Sequence, residues 1–340
     1  MEKYSEFVSL GHPDKVADYI SEYILDKYME KDNNTKYAVE VQIKDSYVTL
    51  GGEITSNAKF DNCELEQFVK EAVNDIGYTK EYQEKWGKEN CICGDDLIVA
   101  IHISQQSRDI AQGLEGWGDQ GIFFGYAEYN EETSGMPLDY TYARRLCKAL
   151  FESGLGGLDI KTQFIMNEWV IKKIIVAIPL LGEKDKVEAL VREMFPGKYE
   201  LIINGTGNYV SHSSIADCGT TGRKLAVDFY GGNCKIGGGS PWTKDGSKAD
   251  LALNLYARKL AKKFAWMYKK DVIVSLACCI GKQEVNYYVQ TPNGTQLDCG
   301  VYILPPKDII KTLGLDKPIY KSMCKWGLFG EFQSDKEWEK

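Results

Sequence analysis

The sequence predicts an α+β fold of three similar domains, because one order of elements occurs three times along its 340 residues. A strand, a helix, a hairpin of two strands, a second helix and a last strand recur at a period of about 110 residues. The apolar residues alternate in the strands and form one-sided stripes in the helices. Each β-α-β-β-α-β unit should therefore form a sheet with two helices covering one face, an internal pseudo-threefold repeat.

The first repeat is predicted for residues 1–110. Its elements are, in order, a strand at 4–10, a helix from Pro13, a hairpin of 37–43 and 46–55, a helix from Glu64 and a strand at 97–103. The strand at 4–10 has poor strand propensity. Pro13 is well placed at the first helical position, and Gly77 is a typical helix end.

The second and third repeats are predicted for residues 118–213 and 214–340. The second should contain strand 121–129, helix 139–152, a hairpin over 162–178, helix 185–195 and strand 199–203. The third should contain strand 224–230, a helix from 248 to about 268, strands 272–280 and 284–290, and a short helix opened by Pro305 and Pro306. The non-periodic segment 104–118 is predicted to be a short mobile lid loop.

Composition argues against several classes of function. Asp and Glu outnumber Lys and Arg by 49 to 41, which gives a net charge of −8. Nucleic acids and anionic membranes attract proteins with a basic excess. No apolar run is long enough to span a bilayer, and the N-terminus lacks the pattern of a signal peptide. We therefore expect a cytoplasmic protein without nucleic-acid or membrane partners.

The densest chemistry lies in residues 217–250, where basic residues and aspartates are interleaved among glycines. Glycine lets backbone amides approach an anion, basic side chains neutralise it, and carboxylates can hold the Mg²⁺ that accompanies polyphosphate. Ser247 and Asp250 have the spacing of a capping box before a long apolar run, so this stretch should lead into a helix N-terminus. A solvated surface loop is the alternative. The spacing of a Walker A loop is absent.

Motifs along nearly the whole chain resemble S-adenosylmethionine synthetase, also called methionine adenosyltransferase. They include GHPDK at 11–15, GWGDQG at 116–121, DIKTQ at 159–163, DCGTTGRKLAVDFYGG at 217–232 and GGGSPWTKDGSKAD at 237–250. The resemblance implies attack of the methionine sulfur on C5′ of ATP, followed by cleavage of the released triphosphate to phosphate and pyrophosphate. A thioether needs no general base, so such chemistry depends on positioning and on stabilising the departing polyphosphate.

The resemblance also implies roles for individual residues. The catalytic residues would be His12, Lys161, Arg223 and Lys244. ATP would be bound by His12, Asp119, Asp159, Lys161, Asn208, Tyr209, Asp217, Arg223, Lys224, Ser240 and Lys244. Methionine would be held by Glu53, Gln106, Asp217 and Lys248. Asp14 and Asp250 would each hold a Mg²⁺ ion, and Glu40 would bind K⁺.

In such a family the active sites lie between two subunits, so the resemblance implies a homodimer that uses its sheet faces, with a tetramer left open. Departures from the family pattern keep other functions open. The lid is short, Asn208 stands where an arginine is usual, and the bulky Trp242 is expected beside the nucleotide. The chain could therefore be an active synthetase, an impaired nucleotide-binding homologue that regulates a partner, or a tripolyphosphatase or ATPase without methionine chemistry.

Overall fold

The computed structural model describes residues 2–105 and 115–340, and most predicted elements are present. The strands are β1 (Glu2–Val8), β2 (Lys36–Lys44), β3 (Tyr47–Thr55), β4 (Ile98–Ser104), β5 (Gly121–Ala127), β6 (Lys161–Asn167), β7 (Val170–Ala177), β8 (Glu200–Ile203), β9 (Gly219–Thr220), β10 (Val272–Cys278), β11 (Glu284–Gln290) and β12 (Gln296–Ile303). The helices are α1 (Pro13–Met29), α2 (Asn62–Ile76), α3 (Lys80–Trp86), α4 (Leu138–Ser153), α5 (Lys184–Met194), α6 (Ser213–Ala216), α7 (Leu225–Asp228), α8 (Ala249–Tyr268), α9 (Pro306–Leu313) and α10 (Tyr320–Met323).

These strands form three four-stranded sheets. Sheet I has the order β4-β3-β2-β9, sheet II the order β1-β6-β7-β8, and sheet III the order β5-β10-β11-β12. Sheets I and II each contain one parallel pair, β3 with β4 and β7 with β8. The strand pairs of sheet III are all antiparallel. The predicted α+β class with three similar sheets is confirmed.

Each sheet is covered on one face by a long helix that packs against a second helix. α1 packs on sheet I and against α2, α4 packs on sheet II and against α5, and α8 packs on sheet III and against α9. The apolar stripes of the long helices are buried, as at Ile20, Leu146 and Leu255, and each such side chain contributes about 1.5–3 kcal/mol. Within the described residues, no helix is both long and apolar enough to cross a lipid bilayer.

Each sheet takes one strand from outside its own repeat, which corrects the expectation that every repeat forms its own sheet. β1 pairs with β6 of sheet II, β5 pairs with β10 of sheet III, and β9 pairs with β2 of sheet I. Periodicity cannot reveal this exchange, because an alternating strand fits the edge of any of the three sheets. The domain boundaries at 1–110, 118–213 and 214–340 stay a prediction.

The third repeat also departs from the predicted order of elements. Residues 224–230 contain the helical turn α7 rather than a strand, and the place beside β10 is taken by β5. β12 follows β11 directly and precedes α9, whereas the sequence predicts a helix after β11. A short apolar run does not distinguish a buried helical turn from a strand.

The start of α8 differs from the predicted capping box. The N-cap residue is Lys248, whose side chain makes no capping hydrogen bond. The backbone N of Ser247 donates to Asp245 Oδ1 at 2.9 Å, and Asp250 Oδ2 accepts from Lys244 Nζ at 2.7 Å. A charge-assisted hydrogen bond from lysine is stronger than a neutral capping hydrogen bond. The Asp250 carboxylate therefore pairs with Lys244 and does not cap α8.

Close packing of α8 on β5 provides a first test of how the fold holds this helix. A Cβ atom at Gly125 would lie 2.0 Å from the carbonyl oxygen of Ala257, so Gly125→Ala must push α8 away from sheet III. We expect the free energy of unfolding to fall by about 1–3 kcal/mol, as measured by urea denaturation. Gly238→Ala is the control, because a Cβ atom there meets nothing within 4 Å. Equal effects of the two substitutions would contradict the packing explanation.

Candidate active site

Helix α1 begins at the candidate site and buries its first side chains there. His12 is the N-cap residue, and its Nδ1 accepts a hydrogen bond from the backbone N of Asp14 at 3.1 Å. Pro13 fits the first turn because a helix leaves its first N–H groups without intrahelical partners. His12 and Asp14 are each 2% exposed. The pairing of Val8 in β1 with Lys161 in β6 brings sheet II to this point.

Asp14 is the centre of a charged network. Its Oδ2 accepts from Lys224 Nζ at 2.5 Å, and its Oδ1 accepts from the backbone N of Thr220 at 2.9 Å. Arg223 Nε lies 3.7 Å from Oδ1. Burial opposes ionisation of this carboxyl, but the hydrogen bonds from Lys224 and Thr220 prevail and lower the pKa of Asp14. The site therefore holds a fixed carboxylate with two basic side chains beside it.

The imidazole of His12 is neutral at pH 7. Burial, together with the positive charges of Lys224 and Lys161, lowers the pKa of His12 to about 3. Because Nδ1 accepts the hydrogen bond from Asp14, the ring proton is assigned to Nε2. His12 can thus offer an N–H donor without carrying a charge.

Asp159 adds a second carboxyl group to this side of the site. Its Oδ2 accepts from the backbone N of Ser213 at 3.3 Å, whereas its buried Oδ1 has no hydrogen-bond partner within residues 2–105 and 115–340. Burial raises the pKa of Asp159 to about 6, and the opposing charge of Lys161 limits the rise. The charges of Asp217 and Lys224 also affect the pKa of Asp159. The predicted residues 159–161 and 217–224 therefore lie together with His12 and Asp14, and we call them the first group.

A second group lies at the N-terminus of α8. It contains the ion pair of Lys244 with Asp250 and the N-cap residue Lys248. Burial raises the pKa of the Cys278 thiol to about 11, and both Asp119 and Asp250 contribute. Cys278 Sγ also donates to the carbonyl oxygen of Asp119 at 3.4 Å. The structure therefore brings Asp119 to the side of Asp250.

Glu40 connects the two groups at the edge of sheet I. Its carboxylate accepts hydrogen bonds from the hydroxyl of Thr221 and, at 3.2 Å, from the hydroxyl of Thr243. Lys244 forms a β-bridge with Ala38 of β2, so its segment lies along the same strand edge as β9. The side chain of Glu40 is exposed on the face of sheet I opposite α1.

The predicted methionine-binding residues are only partly described. Glu53 is half-buried on β3, opposite Ala38 and thus on the same sheet face as Glu40. Gln106 and most of the predicted lid, 104–118, lie outside the described residues. The described end of the lid is attached to sheet III, because the backbone N of Trp117 donates to the carbonyl oxygen of Lys282 at 3.0 Å.

The remaining predicted nucleotide residues occupy loops around the first group. Tyr209 is half-buried, and burial together with Asp159 raises its pKa. Asn208 donates from Nδ2 to the carbonyl oxygen of Leu180 at 3.0 Å and accepts at Oδ1 from Asn204. Both groups of the Asn208 amide therefore hold its own loop in place.

Ser240 lies beside the glycine-rich turn that precedes Arg223. A Cβ atom at Gly222 would be 3.2 Å from Ser240 Oγ, so the turn and the 240–245 segment are in close contact. The same Oγ accepts a hydrogen bond from the backbone N of Trp242 at 3.1 Å. Glycine at 222 also fits its φ of 73°, a left-handed conformation.

Trp242 does not lie beside an open nucleotide site, which corrects the expectation from the sequence. It is fully buried, and its Nε1 donates to Asp228 Oδ2 at 2.7 Å. Lys15 Nζ lies 4.5 Å from the ring centroid and 2.7 Å from Asp228 Oδ1. The indole therefore fills the core behind the site, where its N–H and ring face have partners.

Asp14 is the first of four acidic residues along α1, which we call the acidic row, and sequence reasoning missed the other three. Each accepts a hydrogen bond from a distant backbone N–H: Asp14 from Thr220, Asp18 from Gly222, Glu22 from Thr243, and Asp26 from Tyr320. Their spacing of four along one helix is a signal the sequence contained. Burial raises the pKa of Asp18 to about 7 and that of Asp26 to about 6.

Comparison with known proteins identifies the family. The family models of the S-adenosylmethionine synthetase N-terminal and C-terminal domains match residues 2–108 and 212–340. The chain belongs to the S-adenosylmethionine synthetase family. It is therefore an enzyme of the methionine adenosyltransferase family, and the roles of its individual residues stay predictions.

Relatives match this synthetase-family chain over nearly its full length. An S-adenosylmethionine synthase of Mycoplasma capricolum is 34% identical, with 99% of this chain and 94% of the relative covered. One from Clostridium tetani is 33% identical, with 98% and 95% covered. The solved structure of an unusual S-adenosylmethionine synthetase from Campylobacter jejuni superposes with a TM-score of 0.89 at 32% identity, covering 100% of this chain and 96% of that one.

The neutral, buried His12 predicts a loss of stability in mild acid. Its pKa of about 3 in the folded chain lies below the ordinary value of 6.5, so the unfolded chain takes up a proton first as the pH falls. This contribution to the free energy of unfolding is complete well above pH 6.5 and is reduced by about 1 kcal/mol at pH 5.5. His12→Asn keeps a capping side chain, so its stability should fall less between pH 7 and pH 5.5 in urea titrations. Parallel slopes for the two proteins would contradict this assignment.

Proposed function

We propose that the chain synthesises S-adenosylmethionine from ATP and L-methionine. The methionine sulfur attacks C5′ of ATP, and the released tripolyphosphate is cleaved to phosphate and pyrophosphate. The observation that carries this proposal is the group of cations around the neutral His12 and the fixed carboxylate of Asp14. Such a site suits a reaction whose barrier lies in the departing polyphosphate rather than in proton abstraction.

The first group supplies what the leaving triphosphate requires. Lys161, Arg223 and Lys224 provide positive charge, and the Nε2–H of His12 provides a neutral donor for the oxygen that leaves C5′. Because these groups are already held by the fold, little reorganisation is needed as charge develops on the leaving oxygen. Lys244 brings a further cation from the second group.

ATP and methionine would lie between the two groups. The unpartnered Oδ1 of Asp159 is an acceptor suited to a ribose hydroxyl, with Tyr209 packed nearby. We assign the rest of the nucleotide contact to Asp119, Asn208, Asp217 and Ser240. The ammonium and carboxylate of methionine would be bound by carboxyl, amide and lysine groups, namely Glu53, Gln106, Asp217 and Lys248.

The residues present fit Mg²⁺ that is bound together with substrate. Asp14 and Asp250 are single carboxylates that each contact a lysine, and the described residues contain no group of three or more metal-ligating side chains. Mg²⁺ often uses one or two carboxylates, with substrate phosphates and waters completing its octahedron. Bound there, the ions would neutralise charge on the triphosphate.

Glu40 is the residue we assign to K⁺. The hydroxyls of Thr221 and Thr243 both point to its carboxylate, so three oxygen-bearing side chains converge at the edge of sheet I. Oxygen ligands of this kind suit a hard monovalent cation. A bound K⁺ would keep the segments of Thr221 and Thr243 in register.

Lys161→Met should abolish formation of S-adenosylmethionine, because it removes a cation of the leaving-group site from the exposed end of β6 without disturbing the core. The purified chain is incubated with ATP, methionine, Mg²⁺ and K⁺, and the sulfonium product and phosphate are separated by chromatography. Lys186→Met on α5 is the control, since that exposed lysine forms a surface ion pair with Glu183. Unchanged turnover of Lys161→Met would remove Lys161 from the mechanism.

The same assay on the unchanged chain distinguishes the three functions left open by the sequence. Formation of S-adenosylmethionine together with phosphate is the expected result. Phosphate without the sulfonium product would instead indicate a tripolyphosphatase or ATPase. Neither product would indicate an impaired homologue with a regulatory role.

We also propose that the chain works in the cytoplasm as a homodimer with shared sites. The face of sheet I opposite α1 consists of exposed and half-buried residues, and it contains Glu40 and Glu53. Exposed apolar side chains such as Ile122 and Val301 lie on the corresponding face of sheet III. In the dimer, these sheet faces would be buried against the same faces of a second copy, which would also complete the substrate site.

Light scattering tests this assembly. We expect a mass twice that of one chain, and we expect Thr49→Arg, which places a charge in the middle of the exposed face of sheet I, to give monomers. Ala189→Arg on the exposed side of α5 is the control and should stay dimeric. A fully active monomer of the unchanged chain would overturn the shared site.

A further inference from the structure

The segment that contains Lys244 is anchored to helix α1 through Glu22, a residue without an assigned role. The backbone N of Thr243 donates to Glu22 Oε1 at 2.6 Å. Glu22 is 0% exposed and belongs to the acidic row. The bond joins residues 221 positions apart, so it fixes where the Lys244 segment lies on α1.

Thr243 has a backbone conformation that its own side chain disfavours. Its φ is 71°, in the left-handed region, where a β-branched residue is a rare outlier. Its polar groups are all engaged: the N–H with Glu22, the carbonyl oxygen with the backbone N of Val39 at 3.3 Å, and the hydroxyl with Glu40. Such a conformation persists only where the surroundings hold it.

The residue that follows this constrained position is Lys244. The direction of the Lys244 side chain depends on the backbone conformation of Thr243. The Nζ atom of Lys244 lies 2.7 Å from Asp250 Oδ2. We propose that Glu22 is a positioning residue, whose buried carboxyl group holds Thr243 in the left-handed conformation and thereby directs Lys244 into the substrate site. This inference rests on the proposed function, in which Lys244 contacts the triphosphate.

The chemistry of Glu22 suggests a conservative replacement. Burial raises the pKa of Glu22 well above its ordinary value, and the nearby Asp26 and Asp18 add to the effect. The Oε2 atom of Glu22 has no hydrogen-bond partner among the residues that the structure describes. A glutamine would keep the accepting oxygen at the same distance, so Glu22→Gln should restore what an apolar residue removes.

Asp26 offers a matched control within the acidic row. It lies one helical turn beyond Glu22 and is 3% exposed. Its two oxygens accept from the backbone N of Tyr320 at 2.9 Å and of Lys321 at 3.0 Å. Its partners belong to α10, which contains none of the predicted site residues and meets their segment at Gly246, whose backbone N donates to the Tyr320 hydroxyl at 3.0 Å. Loss of either acidic residue should reduce stability, but only Glu22 should affect catalysis.

The experiment compares Glu22→Met, Glu22→Gln and Asp26→Leu in the full chain. We expect Glu22→Met to lower kcat for S-adenosylmethionine formation by about a hundredfold, since a displacement of about 1 Å has effects of that order. Glu22→Gln should keep the kcat of the unchanged chain. Asp26→Leu should lower the midpoint of urea denaturation but retain kcat. In hydrogen exchange without substrates, the peptide with residues 240–244 should exchange faster only in Glu22→Met, because Gly246 is bonded to Tyr320 and is left out of the comparison.

Two results would overturn the inference: unchanged kcat and exchange in Glu22→Met, or equal losses of kcat in Glu22→Met and Asp26→Leu. Should Glu22→Met not fold, Glu22→Asp replaces it, because it stays polar but withdraws the carboxyl by one methylene. As in Glu22→Met, its kcat should then fall and its exchange at 240–244 should become faster. Wild-type values would overturn the inference. An unchanged chain that makes no S-adenosylmethionine would refute the proposed function, while the exchange comparison would still decide the role of Glu22.

Discussion

The candidate site depends on the hydrogen bonds that Asp14, Asp18 and Glu22 of the acidic row accept from backbone N–H groups of distant segments. Each bond satisfies two groups that are costly to bury apart, because an unpaired buried donor or acceptor costs about 1–3 kcal/mol. The bonds from Thr220, Gly222 and Thr243 fix the two segments that carry Lys224 and Lys244. Helix α1 thus holds both the segment with Lys224 and the segment with Lys244 in position.

The charges behind the site serve geometry more than stability. Lys15 is buried between Asp18 and Asp228, and the Trp242 indole completes the partners of Asp228. The desolvation of such groups consumes most of their mutual attraction, so a buried ion pair is weak support for stability. The hydrogen bonds among Lys15, Asp228 and Trp242 are directional, however, and they restrict how the segments 220–224 and 240–245 are placed relative to each other. That arrangement suits a synthetase-family enzyme, whose chemistry requires fixed cations rather than a mobile base.

The exchange of strands among the sheets explains why residues of different repeats meet. β1 leads from sheet II directly into His12 and α1, and β9 leads from sheet I into Arg223 and Lys224. Many predicted site residues therefore lie in the segments that connect one repeat to the next, and not in the middle of a repeat. The exposed faces of sheets I and III lie on the sides opposite α1 and α8, which are the faces of the proposed dimer contact.

The sequence by itself determined the elements whose signals are local. Pro13 marked the start of α1, Gly77 marked the end of α2, and the motifs nominated His12, Asp14, Lys161 and Lys224, which the fold brings together. The spacing of four in the acidic row was also present in the sequence, but sequence analysis named only Asp14 of its members.

Only the tertiary structure decided which sheet each strand joins, that Trp242 faces the core, and that Asp250 pairs with Lys244 rather than capping α8. Strand pairing and burial of this kind join positions far apart in the chain, as do the bonds of Asp14 with Lys224, which are 210 residues apart. No periodicity within a segment encodes such contacts, because they are chosen by burial and by charge compensation in the assembled core.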